Sequence, residues 1–298
     1  MSTRSSPPTD RVVSVLNYLV ARSGRRFGLS ELARALELSK PTCLGILTSL
    51  VEAGYLVRDP VSVTYGLGPA LIAAGRAAQN GFAIGPVARK HLAELSERYD
   101  TTCTASAVVS DRITVLESVE PNSRRGSGRI GQAYPFAPPI GLMYVLWDAD
   151  DRLEAWLNRE PTLPVRIDTE HLARVVEECR SSGYLVETLT AVGQKLHSVM
   201  AGVAADELPK EVRELLGEMV SGLGERVYLG MREAQSDAVH EVSVIAAPTY
   251  DAHGAQALVL TLHVGAAITG AEIAERGQSL VAAAEAITLE VGGHSPNR

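Results

Sequence analysis

The tightest constraint in this chain is the order of signals between Ser30 and Tyr65. Ser30 is a good N-cap with Glu31 in the first turn, and the short helix it opens buries Leu32, Ala33 and Leu36. A three-residue break, Glu37-Leu38-Ser39, follows, and a further helix starts at Lys40 or Pro41, where proline is tolerated because first-turn N–H groups have no intrahelical partner. Its apolar positions are Cys43, Ile46, Leu47, Leu50 and Val51, which leaves Lys40, Thr42, Gly45, Thr48 and Ser49 on or near the opposite face. Gly54 ends the helix. Tyr55–Arg58 and Val63–Tyr65 then read as two strands around an Asp59-Pro60 turn. An earlier helix, capped by Asp10 and ending near Ser23-Gly24, supplies Val12, Val15, Leu16 and Leu19. Helix, helix, short turn, helix, hairpin is the order of a winged helix-turn-helix.

Small, hydrogen-bonding residues opposite the apolar face suit a helix lying in a major groove. Ser39 and Pro41 at the helix entry join Lys40, Thr42, Gly45, Thr48 and Ser49 as the expected DNA-reading set, with Arg25, Arg26, Lys40 and Arg58 as phosphate contacts. The charge agrees once it is divided. The whole chain carries a net charge of -7, but residues 1–80 hold nine Lys and Arg against five Asp and Glu, so a mildly basic head sits on an acidic body. A three-helix bundle whose hairpin makes only protein contacts has the same architecture, and winged helices do serve that purpose.

The run from Leu32 to Gly75 resembles the N-terminal domain of the isocitrate lyase regulator (IclR) family of bacterial repressors and activators. Leu32-Ala33, Leu38-x-Lys40, Leu47 and Leu50, Gly54-Tyr55 and Tyr65-x-Leu67-Gly68 carry the resemblance. It implies double-stranded operator DNA as a partner. One departure is Leu44-Gly45, where the family usually has an arginine or another long polar residue in mid-helix. Gly45 costs the helix roughly 1 kcal/mol relative to alanine and offers no side-chain base contact. Direct base contacts are therefore expected to be few, or the operator unusual.

Pro69–Gly81 is alanine-rich and helix-forming. The resemblance implies a linker helix that pairs with its dimer mate, and a helix docked on its own chain is the alternative. Beyond it, an amphipathic helix from Pro86 precedes two β-rich runs, Thr102–Val109 and Ile113–Val119, and a third extended piece ends at Pro135. Helical stretches follow from Pro139, over Asp150–Leu157 and over Thr169–Ser181, and Tyr184–Glu187 returns as a strand. Val242–Pro248 and Ala257–Val264 flank the turn Asp251-Ala252-His253-Gly254, and the last helix opens with a capping box, Thr269-x-x-Glu272. Antiparallel strands bracketed by helices make an α+β domain.

This half resembles the family's GAF-like effector-binding domain at Ile245-Ala246-Ala247-Pro248-x-Tyr250-Asp251-Ala252-x-Gly254 and at Gly131-x-x-x-Pro135. The resemblance implies a small-molecule pocket entered near Gly131, with Val244, Thr261 and His263 on the strands. The segment Phe136–Met143 departs from the family's helix entry and makes the expected pocket apolar, with Phe136, Ile140, Leu142 and Met143 available and Trp147 near them. A single polar anchor is expected from His263, Thr261 or Arg129. A second departure is the long segment 188–239, expected to hold a strand at Leu196–Val203 and a helix from Asp206 to about Arg226.

The expected organisation is a disordered tail at 1–9, the winged helix-turn-helix at 10–68, a linker helix at 69–85, the effector domain at 86–292 and a tail at 293–298. Gly126–Gly131 spells G-x-G-x-x-G but reads as a loop, since Pro135 arrives too soon for a helix. His240, His253 and His263 do not form a metal set, and the three cysteines are far apart and read as small core residues, so no cofactor and no metal is expected. No apolar run reaches the roughly 18 residues of a membrane span. The sequence reads as a cytoplasmic, ligand-responsive regulator acting as a homodimer, with a tetramer open. The alternative is a small-molecule sensor or enzyme whose winged helix binds protein.

Overall fold

The structure is a computed structural model that describes residues 6–22, 24–81, 84–109, 111–121, 130–138, 140–161, 169–188, 228–230, 232 and 237–296. Contacts divide the chain into two compact units, Met1–Phe82 and Ala83–Arg298.

In the first unit, helix α1 (Pro7–Ala21) is followed by strand β1 (Phe27–Gly28), α2 (Leu29–Ala35), α3 (Lys40–Glu52), β2 (Leu56–Arg58), β3 (Thr64–Leu67) and α4 (Ala70–Gly81). The strands form an antiparallel sheet in the order β1-β3-β2. Val15 and Leu19 of α1, Leu32 and Ala33 of α2, Cys43, Leu47 and Leu50 of α3, and Phe27, Leu56 and Tyr65 of the sheet close one core. Between α2 and α3 the chain turns at Glu37, which takes a φ of 53°, and the Leu38 amide donates to the Ala33 carbonyl at 2.8 Å. Gly68 packs where a Cβ would lie 2.3 Å from the Gly54 carbonyl oxygen, so only glycine lets the end of β3 cross the end of α3.

Two helix starts differ from the sequence expectation. Helix α1 begins at Pro7 with Ser6 as N-cap, not at Asp10, because the fixed φ of Pro7 and Pro8 suits a first turn and the Asp10 amide already donates to the Ser6 carbonyl at 2.9 Å. Residues 7–9 thus belong to the helix and not to a tail. Helix α2 begins at Leu29 with Gly28 as N-cap, since pairing of Gly28 with Thr64 holds the chain extended up to that point. Ser30 is inside the first turn.

The second unit contains α5 (Ile84–Tyr99), β4 (Thr102–Val109), β5 (Arg112–Val119), β6 (Ala133–Pro135), α6 (Asp150–Leu157), α7 (Thr169–Ser182), β7 (Leu185–Glu187), β8 (Tyr228–Leu229), β9 (Val239–Tyr250), β10 (Gln256–Thr269) and α8 (Gly270–Glu290). The strands make one antiparallel sheet in the order β6-β5-β4-β10-β9-β7-β8. Its two faces are both covered. Leu258, Leu260 and Leu262 of β10, with Cys103, Ala105, Ile245 and Val186, face one core that includes Leu92 and Leu95 of α5 and Ile273, Leu280 and Ile287 of α8. Val259, Ala246 and Leu185 face a second core with Leu142, Leu146, Trp156, Leu172 and Cys179. Strand alternation assigns successive residues to these two cores. The Thr269–Glu272 capping box is formed, with both reciprocal hydrogen bonds.

The helix expected from Pro139 is absent among the described residues. Gly141 takes a φ of 107°, and only a 3-10 turn follows at Leu142–Tyr144. Helix α5 starts two residues before Pro86, which occupies its first turn. The C-terminal end is docked as far as His294: the Gly293 amide donates to the Thr288 carbonyl at 2.7 Å and the His294 amide to the Asp251 carbonyl at 3.2 Å. The strand and helix expected at 196–203 and 206–226 lie outside the described residues.

Candidate functional site

Two places collect the sequence-predicted residues. The first is the outward face of α3. Cys43, Leu47 and Leu50 turn inward, while Lys40, Pro41, Gly45, Thr48 and Ser49 are exposed and Thr42 is half-buried. Ser39 is the N-cap: its Oγ accepts from the Thr42 amide at 3.3 Å, and the two hydroxyls lie 2.8 Å apart. Both are therefore committed to the helix start. Leu44, 44% exposed, stands in the same strip as Pro41, Gly45 and Thr48, one turn apart. The sequence reading left it out of the site, although its spacing from Pro41 and Thr48 was the signal.

The hairpin is the second part of that surface. Asp59 accepts from the Val61 and Ser62 amides, both at 2.9 Å, and these bonds, Ser62 first, hold its carboxyl below the usual range. Val61 at the tip is 92% exposed. Arg58 is exposed, and neither it nor Lys40 is ion-paired among the described residues. The two arginines before α2 differ. Arg25 pairs with Glu31 at 2.7 Å and stacks over Phe27, and Arg26 lies along Gly66 with its guanidinium 3.9 Å from Asp59. Both stay exposed, so a phosphate would have to compete with a carboxylate for each.

The second place is the sheet face that looks toward Leu142 and Trp156. The register aligns Tyr228, Glu187, Val244, His263 and Thr102 in one row across five strands, and Leu185, Ala246, Thr261 and Thr104 in the next. Val244, Thr261 and His263 therefore share a face. Thr104 Oγ1 lies 3.0 Å from His263 Nε2, and Thr101 donates to the His263 carbonyl. Ser106 and Tyr144 hydroxyls lie 2.6 Å apart. Burial pushes the His263 pKa down to about 4 and the Glu187 pKa up to about 7, and it holds the Tyr144 phenol well above its ordinary value. At neutral pH the imidazole is uncharged and the tyrosine is a phenol.

This face is more polar than the sequence suggested. Phe136 and Met143 are buried and Leu142 wholly so, as parts of the second core, and Ile140 packs beside them. Gly131 is exposed with a φ of 81°, and Arg129 lies outside the described residues. Sequence reasoning missed Thr104, Ser106, Tyr144, Glu187 and Tyr228. The alternation Thr102-x-Thr104-x-Ser106 in an otherwise apolar strand was a signal for the first two. Glu187 and Tyr228 had none, since their pairing depends on strands separated by the long segment 188–227. A groove of about 330 Å³ between α6 and α7, lined by Leu153, Leu157, Leu172, Val176 and Arg180, involves none of the predicted residues.

Among the described residues no group of three or more His, Cys, Asp or Glu is placed to hold a metal, and no helix is long and apolar enough to cross a membrane. All three cysteines are buried, with the Cys103 and Cys179 thiols pushed up to about 12 by burial.

Residues 8–60 match the IclR helix-turn-helix domain. The glycerol operon regulatory protein of Streptomyces griseus is 40% identical over 72 residues, a match that takes in 24% of this chain and spans only 28% of that relative. An IclR transcriptional regulator from Alicyclobacillus acidocaldarius has the same fold over 97% of this chain and 100% of its own, with a TM-score of 0.66 and 20% identity. An IclR homolog from Microbacterium hydrocarbonoxydans, solved with 4-hydroxybenzoate, covers 95% of this chain and 98% of its own, with a TM-score of 0.62 and 18% identity. The first unit therefore carries an IclR helix-turn-helix domain, and the chain as a whole shares the fold of solved IclR-type transcriptional regulators.

Proposed function

We propose that the protein binds operator DNA as a homodimer in the cytoplasm, and that a small molecule on the sheet face of the second unit sets its affinity for that DNA. The exposed strip of α3 is the observation that carries the reading: Lys40, Pro41, Leu44, Gly45, Thr48 and Ser49 point away from the core of a helix-turn-helix. Lys40 and Arg58 supply phosphate contacts at the helix entry and in the wing, and Leu44 offers an apolar contact to a thymine methyl. Arg25 and Arg26 are secondary contacts, because carboxylates already engage them.

Pairing of two heads follows from α4, whose Ile72 is 61% exposed beside Ala73, Ala74, Ala77 and Ala78. An alanine-rich helix with so little polar surface gains by burial against a second copy. On the sheet face, Val244, Thr261 and His263 form the floor of the effector site, with Phe136, Ile140 and Met143 as apolar surroundings and Gly131 at its entry. The family member solved with 4-hydroxybenzoate supports a small-molecule role for this domain. Effector binding shifts the arrangement of the paired heads, and operator affinity changes by the difference in affinity for the two arrangements. The protein acts by binding and not by catalysis.

Mobility shift of DNA upstream of the protein's own gene and its neighbours, at two salt concentrations, tests this. A specific, salt-sensitive shift that Lys40→Ala with Arg58→Ala abolishes is the expected result. A folded dimer that shifts none of these fragments at either salt concentration sinks the reading.

A further inference from the structure

We propose that the sheet face takes a small ammonium-bearing molecule, with Glu187 holding its charged nitrogen and His263, Thr104 and Thr261 facing its other end; this rests on the reading of that face as the effector site. Glu187 and His263 occupy one row of the sheet, each paired to Val244. Neighbouring strands lie about 4.8 Å apart, so the two side chains stand roughly 10 Å apart, the length of a small organic molecule. The face is not sealed, since Tyr134, Tyr144, Val244 and His263 each keep part of their surface.

The charge on this face selects the ligand. Glu187 is 9% exposed and has no ion pair among the described residues. The described strand residues of this face include no lysine or arginine. The groups that meet Glu187 are the phenols of Tyr228 on β8 and Tyr144 on the 3-10 turn, both of which feel its charge, with Tyr134 of β6 near Tyr144. His263 of β10 is uncharged at neutral pH, and His171 of α7 bonds to the Tyr228 carbonyl at 3.2 Å. A buried carboxylate without a counter-charge is unfavourable and takes up a proton instead, and the Glu187 pKa of about 7 reflects this. A ligand ammonium supplies the missing charge. A ligand carboxylate would bring a second negative charge into the same enclosure, and an alcohol would leave the first uncompensated. Binding converts the carboxyl to carboxylate, and its proton leaves to solvent.

Calorimetric titration of the full chain with phenethylamine, 2-phenylethanol and 3-phenylpropanoate tests the assignment. The amine is expected to bind tightest, with release of a proton. Its affinity should rise about tenfold per pH unit below pH 7 and level off above, because only the ionised carboxyl binds. Glu187→Gln should weaken the amine at least about tenfold and leave the alcohol unchanged. Equal affinity of amine and alcohol, tighter binding of the carboxylate, no saturable amine binding, or an unaltered amine affinity in Glu187→Gln would each overturn it. If Glu187→Gln does not fold, the wild-type pH profile decides alone: a flat amine affinity between pH 6 and 8 overturns the proposal. Operator binding of the ligand-free wild type, measured in parallel, keeps the two readings apart, since its loss counts against the regulator and not against Glu187.

Discussion

Thr104 and His263 are joined by a contact of 3.0 Å between Oγ1 and Nε2, which locks β4 to β10 on the face that also holds Glu187. The ring sits in a site that disfavours its charge, and the carboxyl two strands away sits in one that disfavours its own. Both groups are therefore neutral in their preferred folded states, and each makes stability depend on pH with the opposite sign.

For His263 the folded pKa of about 4 lies below the ordinary 6.5, so its contribution is complete above about pH 6.5 and is lost as pH falls toward 4. For Glu187 the folded value of about 7 lies above the ordinary 4.5, so stability is lost as pH rises from 4.5 to 7. Glu187→Gln removes the second effect only. It should raise the stability of the second unit near pH 8 by as much as about 3 kcal/mol and leave it unchanged near pH 4. Urea unfolding of wild type and variant across this range gives the answer, and a variant that is less stable than wild type near pH 8 contradicts the burial of an uncompensated carboxyl.

The salt dependence of operator binding should separate Lys40 and Arg58 from Arg25. Lys40→Ala and Arg58→Ala are each expected to lower the slope of log affinity against log salt by about 1, as the loss of one phosphate contact requires. Arg25→Ala should change it by less than half as much, because Glu31 at 2.7 Å already neutralises Arg25. Equal slopes for Arg25→Ala and Lys40→Ala would show that the Arg25–Glu31 pair opens on DNA.

The head was legible because its signals are local. Ser39 and Pro41 fix the start of α3, Gly54 its end and Asp59-Pro60 the wing, each within a few residues. The start of helix α1 was misplaced by four residues because Asp10 competes with Ser6 as a cap, and only the Pro7-Pro8 pair decides between them. That Val244, Thr261 and His263 share one sheet face was legible, because they alternate on adjacent strands. Glu187 and Tyr228 meet only through pairing of β7 with β8, whose contact is long-range, and periodicity cannot reveal it. The stretch from Pro139 misled because its apolar residues suggest a helix, whereas Gly141 bends the chain into a left-handed turn there.

Gly45 tests whether α3 keeps a gap for the DNA. No atom lies within 4 Å of a Cβ placed there, and its backbone is helical. Gly45→Ala should therefore stabilise the first unit by about 0.5–1 kcal/mol, since alanine is the better helix former. If the DNA backbone or a base edge approaches the helix at this point, the same variant binds operator at least about tenfold more weakly despite its greater stability. Thermal unfolding and mobility shift on one preparation read both effects, and greater stability with unaltered binding would place the contact elsewhere along the helix.

Gly277 is the opposite case, where helix propensity and packing conflict. It is buried in α8, and a Cβ there would lie 2.6 Å from the ring of Tyr184. Propensity alone predicts a gain of about 1 kcal/mol for Gly277→Ala. Overpacking of a closed core costs roughly 1–3 kcal/mol and the ring is hemmed in at Tyr184, itself part of the core against α8, so packing should win. The expected result is a second unit destabilised by about 1–2 kcal/mol, with a fall in its melting temperature of several degrees. Gly277→Ala combined with Tyr184→Leu should recover part of the loss, because the smaller side chain vacates the space the methyl needs. A double variant no more stable than Gly277→Ala alone would show that the cost lies in the helix backbone and not in the contact with Tyr184.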